Sequence, residues 1–354
     1  EQNLSSASFE SANLSDANLT SANLNGANLT SATLSGSTLT NANFTDATIK
    51  GADFSNTVSR GFTEGQLQLT KSYKEKDLSG IILSYNDLSG WDFAEQNLSS
   101  ASFESANLSD ANLTSANLNG SNLTNANFTN ATIEGADFSN TVSSGFTEGQ
   151  LKSTKSYNEK DLSGINLGYN NLSGWNFSEQ NLSSANFRAA TLTNANFTDA
   201  TIKGANFYNT VSSGFTEGQL KSTKSYKEKD LSGINLGKNN LSGWDFSEQN
   251  LTSANFNGAN LSYATFNGAN LTSTTFQGAT LTNTDFTNMN LLWANFNGAN
   301  LTSATFNGAR LTNSEFTDAI IKGADFSNTV SRDFTEWKLQ STKSYKEKDL
   351  SGII

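Results

Sequence analysis

Carboxylates are the residues of this chain best suited to catalysis, because the sequence contains neither histidine nor cysteine. It can therefore form no Ser-His-Asp triad, no thiol nucleophile and no zinc site of the usual composition. Paired carboxylates could still serve as general acid and base. However, Asp46, Asp53 and Asp77 recur as repeat positions, and near-copies would carry any site several times over. We expect a protein that is not an enzyme, with no catalytic residue, cofactor or bound metal.

A second group of candidate residues is aromatic and recurs at matching places along the chain. Lysines such as Lys74 and Lys76 flank it, but Glu75 and Asp77 are interleaved with them, which argues against a nucleic-acid site. Two interpretations stay open: spaced patches that bind an unidentified partner, or structural residues covered by a neighbouring helix. The candidates are Trp91, Trp175, Trp244, Tyr73, Tyr157 and Tyr226.

The element that must position these residues is a repeat of five. A large apolar residue stands at every fifth position, usually with alanine two residues before it, as in Ala27 and Leu29. This spacing matches neither the 3.6-residue period of a helix nor the two-residue period of a strand. It therefore indicates an internal repeat. The series covers Leu4–Phe54, Leu78–Phe138, Leu162–Phe207 and Leu231–Phe326, and resumes at Leu350.

Units such as Ala-Asn-Leu-Thr-Ser at 27–31 and Ala-Asn-Phe-Asn-Gly at 294–298 resemble the consensus of the pentapeptide-repeat family. The resemblance covers roughly three quarters of the chain. It implies an all-β solenoid, a right-handed quadrilateral β-helix in which four pentapeptides complete one coil. The large central residue and the alanine are expected to point inward, and the other three side chains outward.

Phenylalanine and leucine alternate at the central position from Phe246 to Phe316, and Ile321 and Phe326 continue the alternation. With four sides to a coil, residues 20 apart stack, so Phe246 should lie on Phe266. A three-sided coil would mix the two residue types. We also predict a ladder of side-chain amides along the axis. Its members are Asn250, Asn270 and Asn290.

Four similar segments interrupt the repeat, and each is predicted to form a short helix of about two turns. Thr63 and Gln66 make a capping box, which recurs at Thr147/Gln150 and Thr216/Gln219, whereas the fourth copy has Lys338 in place of glutamine. After each of the first three helices, larger residues replace the inward alanines. Trp91 stands at one such position, so that coil is either widened or has an outward tryptophan covered by the helix.

These boundaries divide the chain into repeat blocks and helical insertions. The β-helix blocks are predicted at 1–56, 78–140, 162–209 and 231–328, with the start of another at 350–354. The helical insertions are predicted at 57–77, 141–161, 210–230 and 329–349.

Composition favours a structural or interaction protein. The formal net charge is −11 at pH 7, but only 16% of residues are charged, against about 25% in average proteins. We expect a stiff β-solenoid rod or spacer segment of a longer, filamentous or cell-surface repeat protein. The family resemblance implies one alternative, an acidic DNA-mimic rod that binds a topoisomerase such as gyrase. The other is a flat ice- or polysaccharide-binding face. Thr252, Thr272 and Thr312 lie on one face, although Leu292 interrupts them.

Location and assembly are further expectations. The chain starts and stops inside repeats, so we interpret it as a piece of a longer array whose coils stack end to end on themselves or on neighbouring repeats. No stretch of 18 apolar residues exists, and no membrane-spanning segment is expected. We expect an extracellular or cell-surface protein that does not bind nucleic acid; a cytoplasmic location stays open.

Overall fold

The computed structural model describes residues 2–329, 331 and 333–354. Residue 1, in the first predicted block, and residues 330 and 332, in the fourth predicted insertion, lie outside the described residues. The chain divides into two units, Glu1–Asn171 and Leu172–Ile354. Each unit is a β-helix solenoid.

Parallel backbone bridges join residues 20 apart. In the first unit Asn3 pairs with Asn23, and in the second Asn235 pairs with Asn255. The backbone N–H of Leu4 donates to the carbonyl of Asn23 at 2.8 Å, so each coil is hydrogen-bonded to the next. Across an insertion the separation lengthens, as between Asp53 and Ile82. A coil therefore contains four pentapeptides, as the alternation of phenylalanine and leucine predicts.

Each pentapeptide closes with a tight turn. The N–H of Ala7 donates to the carbonyl of Leu4 at 3.2 Å, and Ser6 between them has φ of 54°. Only one residue per side is bridged to the adjacent coil before the chain turns again, so the β structure consists of isolated bridges. Positive φ recurs at this corner position, which explains the abundance there of Gly, Asn, Asp and Ser.

The core of each unit contains the central apolar residue and the alanine two before it, as predicted. Ala27 and Leu29 are fully buried in the first unit. In the second unit the rings of Phe246 and Phe266 stack with centroids 5.4 Å apart and an interplanar angle of 13°. The stacking of residues 20 apart is therefore confirmed. That column continues with the stacked pairs Phe266–Phe286, Phe286–Phe306 and Phe306–Phe326. A second column of phenylalanines contains the stacked pairs Phe256–Phe276, Phe276–Phe296 and Phe296–Phe316.

The predicted direct ladder of Asn250, Asn270 and Asn290 is wrong. Asn270 donates to the hydroxyl of Thr252 at 3.0 Å, and that hydroxyl donates to Asn250 Oδ1 at 2.7 Å. A threonine hydroxyl therefore stands between successive amides. Direct amide ladders do form in columns elsewhere, for example Asn43 to Asn23 to Asn3 and Asn127 to Asn107 to Asp87.

The insertions contain two consecutive short helices where one was predicted. They are α1 (Glu64–Leu69), α2 (Lys71–Lys74), α3 (Glu148–Ser153), α4 (Lys155–Asn158), α5 (Glu217–Ser222), α6 (Lys224–Lys227), α7 (Glu336–Ser341) and α8 (Lys343–Lys346). Short 3-10 helices precede the first three pairs at Val58–Arg60, Val142–Ser144 and Val211–Ser213. The break between α1 and α2 arises at Thr70, which has an extended ψ of 153°. Its hydroxyl accepts from the Tyr73 N–H and so caps the start of α2.

A search of the described part of the chain finds no helix both long enough and apolar enough to cross a membrane.

Candidate interaction site

The helix starts are built as predicted in the first three insertions, because capping boxes are present at Thr63/Gln66, Thr147/Gln150 and Thr216/Gln219. The glutamine also fastens the helix to the β-helix. Gln66 Oε1 accepts from the Thr63 N–H at 2.8 Å, while its Nε2 donates to the carbonyls of Leu39 and Ala42 at 2.9 and 2.8 Å. One amide therefore caps the helix and satisfies two coil carbonyls.

The fourth insertion replaces this amide with Lys338, which is only 2% exposed. Its ammonium group donates to the Leu311 carbonyl at 2.6 Å and to the Ser314 hydroxyl at 3.4 Å. An ammonium group cannot accept a bond, and Thr335 has no side-chain capping bond. Burial lowers the pKa of Lys338, and the nearby Asp333 carboxylate partly opposes that effect.

The three predicted tryptophans are buried at the junction between an insertion and the coil that follows it. Trp91 is 8% exposed and its ring lies 6.1 Å from those of Phe62 and Phe93. In the second unit Trp244 is 9% exposed and packs in the same way at 6.3 Å from Phe215. Trp175 is also buried, at 8% exposure. Phe62 is the residue just before the helix cap, so the insertion covers the indole.

The predicted tyrosines are half-buried at the same junctions. The Tyr73 hydroxyl donates to the Asp92 carbonyl at 2.9 Å, and the Tyr226 hydroxyl donates to the Asp245 carbonyl at 2.8 Å. Burial is the main cause that raises the pKa of Tyr73, Tyr226 and Tyr157. The phenol groups of Tyr73 and Tyr226 therefore bind the following coil.

The larger residues that replace alanine in that coil also face the insertion. Asn86 is buried; its Oδ1 accepts from the N–H groups of Thr57 and Val58 at 2.9 and 3.0 Å, and its Nδ2 donates to the Phe54 carbonyl at 2.9 Å. Asn239 makes the corresponding bonds in the second unit. Alanine could not make them, which explains the departure from the repeat.

Ion pairs tie the insertions to neighbouring coils. Lys50 contacts Asp77 at 2.9 Å and Lys74 contacts Asp46 at 2.8 Å. The pKa of Asp77 is lowered, first by the hydroxyl of Ser79 and also by Lys50. The recurring aspartates proposed as repeat positions are therefore structural partners. Over the described residues, no group of three or more His, Cys, Asp or Glu could hold a metal ion.

The structure places other aromatic residues at the surface, and the sequence reasoning missed them. Most occupy the corner position with positive φ, including Tyr263 (φ 62°) and Trp293 (φ 62°). The signal was available, because a large ring stands there in a column of Ser, Gly and Asn. The exposed rings are Tyr85, Tyr169, Tyr263, Trp293, Trp337 and Tyr345.

Family comparison agrees with this geometry. The family model Pentapeptide repeats matches residues 3–36, 22–58, 77–114, 106–142, 161–199, 181–211 and 230–266, and the model Pentapeptide repeat region matches residues 263–334. The matches cover well over half of the chain. It belongs to the pentapeptide repeat family. No curated protein matches this pentapeptide repeat chain.

Several solved pentapeptide repeat structures are similar to it. HetL, involved in heterocyst differentiation regulation in Nostoc sp. strain PCC 7120, is 21% identical, covers 93% of this chain and 92% of its own, and has a TM-score of 0.16. QnrB1, a plasmid-mediated fluoroquinolone resistance protein, is 13% identical. The match covers 77% of this chain and 88% of QnrB1, with a TM-score of 0.22. A pentapeptide repeat protein of the Arabidopsis thaliana thylakoid lumen is 33% identical. The match covers 34% of this chain and 67% of that protein, with a TM-score of 0.12.

Proposed function

We propose that this chain is a structural module, in which each unit is a stiff β-solenoid spacer of a longer extracellular or cell-surface repeat protein. We further propose the right-handed, quadrilateral form of the β-helix. The observation that carries the proposal is the 20-residue ladder, because within each unit successive coils are joined by the same type of backbone hydrogen bond. A solenoid of this kind becomes longer by one strand spacing for each added coil, because each coil contacts only its neighbours.

The junction supports the same role. The candidate aromatic residues make contacts within the chain. Trp91 packs on Phe62, and the Tyr73 hydroxyl donates to the Asp92 carbonyl. We propose that all six predicted aromatics fasten the insertions to the coils and do not present partner-binding patches. Such fastening would stiffen the spacer at each insertion.

The alternative of an acidic DNA mimic that binds a topoisomerase gains little from the charge distribution. A mimic of nucleic acid needs unpaired carboxylates in register along one face. Here several exposed aspartates of the coils are paired with lysines of the insertion helices, as in Lys227 with Asp199 at 2.7 Å and Lys346 with Asp318 at 2.7 Å.

The spacer proposal is tested by changing the number of coils. Deleting residues 271–290 removes 20 residues and rejoins Leu251 to Leu291 and Phe256 to Phe296 in their columns. We expect a folded protein shortened by about 4.8 Å, the spacing of adjacent strands. The matched control deletes residues 271–285, which places phenylalanine over leucine. Circular dichroism and small-angle X-ray scattering measure both. Loss of folding in the 20-residue deletion would contradict the proposal.

We also propose that its partners are copies of the same protein or neighbouring repeats, joined through the backbone edges of their coils. Sedimentation velocity of the full chain over a range of concentrations tests this. Species that grow with concentration are expected. A single monomeric species at every concentration would sink the idea.

A further inference from the structure

Trp293 is an exposed indole of the second unit, at a corner where the other coils of its column have small polar residues. Its side chain is 58% exposed and its backbone has φ of 62°. The left-handed conformation costs a residue with a side chain roughly 1–2 kcal/mol. The preceding coils have Ser253 and Ser273 in this column, and the following coil has Asn313. Ser253, Ser273 and Asn313 share this positive φ, so the corner requires it whatever residue stands there. The exposed indole, for which the fold has no use at this corner, is what distinguishes Trp293.

A second indole is exposed nearby. Trp337 in α7 is 59% exposed and stands where the other insertions have glycine, as at Gly218. A side chain added at Gly218 would meet only the Thr216 hydroxyl, at 3.8 Å, so the position has no core to fill. The ammonium group of Lys338 lies 5.8 Å from the Trp337 ring and contributes a cation–π contact.

The Trp293 backbone and the helix that carries Trp337 adjoin the same side of the β-helix. The backbone N–H of Trp293 donates to the carbonyl of Thr312 at 3.1 Å. Lys338, the neighbour of Trp337, donates to the carbonyl of Leu311, the residue before Thr312. Trp293 and α7, which carries Trp337, therefore both attach to the coil that contains Leu311 and Thr312.

The same side carries a polar track that leads toward Trp293. Asn250 donates to Asp230 at 3.2 Å, and Thr272 donates to Asn270 at 2.8 Å. Asn290 continues the track by donating to Thr272 at 3.5 Å. These amides and hydroxyls are half-buried or exposed and repeat once per coil. Charged residues occur at its ends, Asp230 and Arg310.

We propose that this side of the second unit binds a neutral, extended polysaccharide, with the sugar rings stacked on Trp293 and Trp337. The C–H face of a pyranose packs on an indole, and its hydroxyls exchange bonds with amides and threonine hydroxyls. The coil spacing is close to the rise of one sugar in an extended β-linked chain. A linear track one residue wide fits a linear polymer better than a protein surface. This site is independent of the proposed spacer role.

Depletion binding to cellulose and chitin powders, with granular starch as the α-linked comparison, tests the proposal. The variants are Trp293→Ser and Trp337→Gly, which introduce the residues found at equivalent positions of this chain. Tyr263→Ser is the matched control, because Tyr263 is 64% exposed, has φ of 62° and lies two sides away from the Trp293 column.

Wild-type protein should bind at least one β-linked powder more tightly than starch. Each tryptophan variant should bind it on the order of tenfold more weakly, with Tyr263→Ser unchanged. Thermal unfolding should show that Trp293→Ser is no less stable, which separates lost binding from lost folding. Failure of the wild type to bind either powder, or equal binding by Trp293→Ser, would overturn the proposal. Capture of a protein partner without polysaccharide binding would overturn it as well.

Discussion

The second unit contains the third and fourth insertions of the chain, and each is attached to the coils by a different side chain. In the third, Gln219 accepts from the Thr216 N–H at 2.7 Å and donates to the carbonyls of Leu192 and Ala195 at 2.8 and 2.7 Å. In the fourth, Lys338 donates to a carbonyl and a hydroxyl but cannot cap the helix. An amide is both donor and acceptor, whereas an ammonium group only donates, so the substitution keeps the attachment and loses the cap.

The largest effect is expected from Gln219→Leu. The change leaves two coil carbonyls without their donor and removes the accepting half of the capping box. We expect a loss of about 2–4 kcal/mol of local stability. Hydrogen exchange of the α5 amides measures it, since coils of a solenoid can open separately. Gln277→Leu, at an exposed coil position, is the control. Equal protection of α5 in both variants would show that the attachment contributes little.

Lys338→Gln should give the fourth insertion the same attachment and capping box as the third. The amide can accept from the Thr335 N–H and still reach the Leu311 carbonyl, and a buried charge is removed. We expect a gain of about 1 kcal/mol, the usual value of a helix cap. Hydrogen exchange in α7 measures the gain. Lower protection of α7 in the variant would mean that the lysine is the better attachment.

The two caps can be compared directly with alanine. Thr216→Ala removes a hydroxyl that accepts from the Gln219 N–H at 3.2 Å, and should cost about 1 kcal/mol. Thr335→Ala removes no capping bond and should change stability by less than about 0.5 kcal/mol. Unfolding in urea, followed for both variants, tests the difference. Similar losses would contradict the assignment of the caps.

The smallest effect concerns pH. The folded pKa of Lys338 is lowered from 10.5 by burial, whereas the unfolded chain keeps the ordinary value. Between these two pKa values the unfolded state binds more protons, so stability should rise with pH in that window. Below the window the cost of the buried charge is constant. The rise should be absent in Lys338→Gln, as measured by urea unfolding at alkaline pH. An identical pH profile in the variant would exclude Lys338 as its source.

Much of the fold could be predicted from spacing alone. The five-residue period and the alternation of phenylalanine and leucine predict four sides, and Phe246 does stack on Phe266. The capping boxes predict the starts of α1, α3 and α5, because the bonds join residues three apart. The break at Thr70 was missed, since a threonine within a helical segment gives a weak signal of a second cap.

The candidate site was less predictable, because it depends on contacts between residues far apart in the chain. Sequence by itself determined the coil length and the helix starts, which rest on local spacing. Tertiary structure decided that Trp91 is buried under Phe62, 29 positions earlier, and that Thr252 relays the bond between Asn250 and Asn270. Tertiary structure also decided that Trp293 is exposed. The period assigns a residue to a corner, but whether its side chain is covered depends on the adjacent coils and the insertion packed against them.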